Sequence, residues 1–106
     1  MSILFRPAHN IEHYYSDLNH NHDHMINHLA NEVAHNLRFA DFGCHSGERL
    51  GYAATELAYD AQHLTRQDFN REVAAIQNRL PDRDLQIERS KCGDVLAINF
   101  DGQRIF

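Results

Sequence analysis

Residues 9 to 38 place two opposed stripes on one helix, and that pattern decides which side of it faces a core. At about 100° per residue, Ile11, Tyr15, Leu18, Met25, Leu29 and Val33 share one side with i, i+3, i+4, i+7 spacing. The other side gathers His9, His13, His20, His24, His28 and His35, six of the nine histidines, with Asp17 and Asn31 among them. Such a helix buries its apolar face and leaves the imidazoles to water or to a ligand. Its weak point is Asn19-His20-Asn21-His22-Asp23-His24, a run of poor helix formers in which His22 falls on the apolar side. The apolar register agrees on both sides of this run, which predicts a continuous or slightly kinked helix.

The remaining elements follow from caps and turn residues. Residues 47 to 64 read as a helix with Leu50, Ala54, Leu57, Ala61 and Leu64 on one seam, where the alanines permit close approach of another helix or of a second copy of the chain. Thr65 and Asp68 have capping-box spacing for a helix over 66 to 80, with Phe69, Val73, Ile76 and Leu80 inward and Pro81 just past its end. The segments 85–88 and 95–100 are β-like, and Asp101-Gly102 is a two-residue hairpin signal leading into 103–106. Ser2 to Arg6, ended by Pro7, reads as a further strand or arm. The expected fold is α+β in one domain over 1–106, three or four helices followed by a small antiparallel meander.

At 106 residues the chain can bury about two-thirds of its unfolded surface and needs neither disulfide nor metal to fold. No run approaches the roughly 18 apolar residues of a membrane-spanning helix, and the first residues lack the basic and long apolar regions of a signal peptide. A cytoplasmic location is therefore expected, with Cys44 and Cys92 as free thiols. The net charge of −5 is uneven: residues 1 to 48 hold two arginines against six acids, and eight of the nine histidines. Duplex nucleic acid is a poor partner for such a chain. A helix-turn-helix reading of 47–64 and 66–80 would present Arg66, Gln67, Asn70, Arg71 and Arg79, but Asp68 and Glu72 interrupt that face. A basic protein surface suits the charge better. The nine arginines against one lysine would also suit an interaction surface.

Three chemistries can be drawn from the residues. His20/His24 and His24/His28 are i, i+4 pairs that bring two imidazoles within reach of one Zn²⁺ or Ni²⁺ ion, with His13 and Asp17 in support. The same face also reads as a pH-responsive surface or a plain solvated one. Cys44-His45-Ser46 precedes a helix, whose N-terminus can activate a thiol. Tyr52 and Tyr59, one heptad apart beside the apolar seam, can anchor a protein contact. The run His20-Asn21-His22-Asp23-His24 is one residue short of a metallohydrolase pattern, and Asp41-Phe42-Gly43 stands without any other kinase element, so both are chance matches.

Nucleophile, base and stabiliser do not occur together, which favours a non-enzymatic binding protein. In size, charge and lack of a catalytic motif the chain resembles phage-encoded anti-defence proteins, anti-CRISPR proteins among them, and toxin-immunity proteins. That resemblance implies an inhibitor or adaptor that blocks a larger partner with a basic surface. On this reading Glu12, Asp17, Asp23 and Glu32 make the recognition, Tyr52 or Tyr59 anchors it, and no cofactor is needed. The alternative is a transition-metal-binding protein using His20, His24 and His28. A third reading is a small cysteine-dependent enzyme built on Cys44 and His45.

Overall fold

A computed structural model describes residues 22–40 and 46–106. The first helix, α1 (His22–Phe39), is the central element and packs on both other helices. Met25, Ile26, Leu29, Ala30, Val33, Ala34 and Leu37 are all buried, a band that repeats with the helical turn. His24, His28, Asn31 and His35 lie exposed on the other side, as the two-stripe pattern requires. Asp23 in the first turn and Arg38 in the last complement the helix dipole. The expected helical stretch 9–21 and the arm at 2–6 lie outside the described residues.

The second helix, α2 (Ser46–His63), lays Ala53, Ala54 and Leu57 against the core, with Leu50, Ala61 and Leu64 packed around them. The alanine seam is thus used inside the molecule, where its small side chains let α1 and α2 meet. Thr65 breaks the chain into extended backbone, and its hydroxyl accepts the Asp68 N–H at 3.1 Å to cap α3 (Arg66–Arg79). Phe69 and Ile76 are buried from α3, and so is Glu72, which therefore does not stand on the exposed face with Arg66, Gln67, Asn70 and Arg71. Arg38 reaches from α1 to the Arg79 carbonyl at 3.0 Å, so the last turn of α3 receives a cation from its neighbour.

Beyond Leu80 the chain turns into a meander of β1 (Leu85–Arg89), β2 (Val95–Phe100) and β3 (Gln103–Arg104), antiparallel in sequence order. Leu85 faces Phe100 and Ile87 faces Ile98, and the inner sheet face adds Leu85, Ile98 and Phe100 to the main core. Asp101 and Gly102 have φ of 52° and 82°, the two positive values that a tight hairpin turn of primed type requires. Hydrogen bonds from Ile105 N–H to the Ile98 carbonyl and from Ile98 N–H to the Phe106 carbonyl continue the pairing past β3. The fold is α+β, three helices followed by a three-stranded antiparallel sheet.

Candidate functional site

Of the residues expected to bind a partner, Asp23, Glu32, Tyr52 and Tyr59 are among those described. Asp23 forms an ion pair with Arg71 of α3, so its charge is answered within the molecule. Glu32 sits 3.5 Å from the His28 ring, one turn away on α1. Tyr52 is exposed, whereas Tyr59 packs over Met25, Ile26 and Leu29 and stacks on His63 with ring centroids 4.1 Å apart. Glu12 and Asp17 lie outside the described residues.

The metal alternative rests mostly outside them too. His24 and His28 project from exposed positions one turn apart on α1, while His13, Asp17 and His20 are not described. Among the described residues no three His, Cys, Asp or Glu side chains gather closely enough to hold an ion. Cys44 and His45 also lie outside the description.

The distribution of charge is the least expected feature. Among the described residues nine Arg and Lys side chains stand against twelve Asp and Glu. Three of those acids, Glu56, Asp60 and Glu72, are buried, and none of the basic groups is. The described surface therefore carries as many cations as anions. A buried carboxylate is costly unless hydrogen-bonded, and Asn36 meets part of that need by donating to Glu56 at 3.1 Å. Arg49 in turn donates to the Asn36 side-chain oxygen at 3.2 Å, linking the buried pair to the surface.

Arg49 also connects to an exposed aromatic corner. Its guanidinium carbon stands 6.0 Å from the centre of the Phe39 ring, a cation–π distance. Phe39 lies against His35, with centroids 4.5 Å apart, and Tyr52 follows Arg49 by one turn of α2. Phe39 and Tyr52 are each 41% exposed. The end of α1 and the start of α2 thus place two aromatics, an arginine and a histidine on one side of the molecule.

Sequence reasoning found Tyr52 but not Phe39, which it assigned to the connection after α1. It also missed the buried acids, although their spacing held a signal. Ala53, Glu56, Leu57 and Asp60 fall at i, i+3, i+4 and i+7, and Phe69, Glu72 and Ile76 are three and four apart, so carboxylates stand where apolar residues are expected. Comparison with family models, with curated proteins and with solved structures gives no match in any of the three. The described helices include none long and apolar enough to cross a membrane.

Proposed function

We propose that this chain is a non-enzymatic protein-binding module of inhibitor or adaptor type, which seats its α1–α2 corner against a larger partner with a basic surface. The observation that carries the proposal is the exposure of Phe39 and Tyr52 beside Arg49. Tyrosine and arginine are enriched among residues that dominate interface energetics, and aromatic side chains contribute large contact area at low cost in conformational freedom. The net charge of −5 supports a basic partner, since long-range attraction depends on the summed charge of both molecules. Contact and steering are then separate: the aromatic corner supplies the first and overall charge the second.

The test is capture from a lysate of the cell that naturally makes the protein, comparing wild type with Phe39→Ser/Tyr52→Ser and with Gln86→Ala on the outer face of β1. A protein retained by wild type and Gln86→Ala, with affinity lowered about thirtyfold in the double variant, supports the reading. Equal retention by all three removes the corner as the contact. An absence of any saturable partner removes the binding-module reading itself.

A further inference from the structure

A cavity of about 530 Å³ opens between the end of α2, the start of α3 and the β1–β2 turn. Leu64, Arg66, Arg89, Gly93, Val95 and Phe106 are among its walls. Two guanidinium groups converge there. A Cβ placed on Gly93 would lie 3.2 Å from Nη2 of Arg89 and 3.6 Å from Nη2 of Arg66. Gly93 has φ of +95°, which favours glycine, so the backbone that forms the turn also leaves this spot open.

The acceptors that these two arginines have are neutral. Arg66 donates from Nη2 to the Lys91 carbonyl at 3.2 Å, and Arg89 donates from Nε and Nη2 to the Gly93 carbonyl, both at 3.0 Å. Nη1 of Arg89 is buried with no hydrogen-bond acceptor among the described residues. The Arg89 guanidinium lies 4.8 Å over the Phe69 ring, which fixes its plane. Partial burial and the nearby Arg66 charge together lower the Arg89 pKa, as expected where a cation lacks a counter-ion. Asp94 lines the same cavity but makes no ion pair with either arginine.

Arg71 is paired with Asp23 and Asp68, and Arg83 with Asp101, whereas Arg66 and Arg89 converge on one spot of a cavity with neutral acceptors alone. We propose that this cavity binds a small molecule carrying a phosphate monoester on an apolar body. Two guanidinium groups match the charge of a phosphate monoester near neutral pH, and their planar forks suit its oxygens. Leu64, Val95 and Phe106 offer an apolar wall for the rest of the ligand. The volume falls within the range of small-molecule sites, about 300–1,000 Å³. This site is separate from the α1–α2 corner, and it stands whether or not that corner binds a protein.

The test is an amide NMR titration of the full chain with phenyl phosphate at constant ionic strength, to about 10 mM, ten times a millimolar Kd. The expected result is saturable shifts at Leu64, Arg66, Gly93 and Asp94. Binding should weaken about tenfold in Arg66→Gln, less in Arg66→Lys, and not at all in Arg38→Gln, which removes the same charge at the end of α1. Retention of the remaining amide spectrum in Arg66→Gln shows that the fold persists. Inorganic phosphate should bind more weakly than phenyl phosphate, and benzoate more weakly still. Absence of saturable shifts, or equal weakening by Arg38→Gln, overturns the site. Benzoate binding as tightly as phenyl phosphate overturns the phosphate assignment, and inorganic phosphate doing so overturns the apolar body.

Discussion

The side-chain oxygen of Gln77 accepts the backbone N–H of Leu85 at 3.1 Å, tying the last turn of α3 to the first residue of β1. The Gln77 amide nitrogen donates in the opposite sense, to the Leu80 carbonyl at 3.1 Å and to the Arg83 carbonyl. One side chain thus satisfies backbone groups on both sides of the Pro81 turn. Gln77→Ala is expected to destabilise the protein by about 2–3 kcal/mol, because it leaves part-buried backbone groups without partners. Gln77→Glu keeps the acceptor for Leu85 and loses the two donors. Urea unfolding should place it nearer the alanine variant than wild type, and a midpoint equal to wild type would show that the donors contribute nothing.

Asn36 and Glu56 form the equivalent link between α1 and α2, with both residues buried. Asn36→Ala removes the donor to a buried carboxylate and the acceptor for Arg49, which should cost about 2–3 kcal/mol. Asn36→Asp places a second carboxylate against Glu56 and should cost at least as much at neutral pH. Thermal unfolding of the two variants at pH 7 checks this order. An aspartate variant as stable as wild type would refute it.

Asp101 gives a pH dependence with a definite sign. The Asp84 N–H donates to one of its oxygens at 2.8 Å and Arg83 pairs with the other, and these hold its carboxyl below the usual carboxylate range. A carboxyl lowered in the folded state stabilises the fold above its unfolded pKa, about 3.9. That contribution is lost as the pH falls from there through the folded value. Asp101→Asn tolerates the positive φ of the turn and removes the titration. Its stability should therefore decline less steeply than wild type below about pH 4. Superimposable acid limbs for the two proteins would sink this assignment.

Phe39 and Tyr52 should matter little to folding. Both are exposed, so Phe39→Ser and Tyr52→Ser are each expected to change stability by no more than about 0.5 kcal/mol. Leu57→Ala, fully buried between the helices, should cost about 2–5 kcal/mol. Denaturant midpoints of the three variants decide whether the corner is a surface device or part of the core.

The parts of this fold that were legible in the sequence are those set by local chemistry. Thr65 capped α3 because its hydroxyl reaches the Asp68 N–H, and Asp101-Gly102 turned the hairpin because those residues accept positive φ. The buried side of α1 followed from periodicity alone. What escaped was decided by tertiary neighbours. Glu56, Asp60 and Glu72 have the composition of a solvated face and the spacing of a core, and only the packing of three helices reveals which prevails. The convergence of Arg66 and Arg89 depends on a turn 25 residues from the start of α3 bringing Lys91 to Arg66, which no local pattern encodes. Asp23 likewise appeared as a free anion until α3 supplied Arg71.

The three core carboxylates have a consequence for the chain when it is not folded. Opening exposes Glu56, Asp60 and Glu72 on the same stripes as Ala53, Leu57, Phe69 and Ile76. Charges set within those stripes interrupt the apolar runs through which two unfolded chains would associate. The chain is best kept from its own kind at the stage when its apolar stripes are bare and association is most damaging.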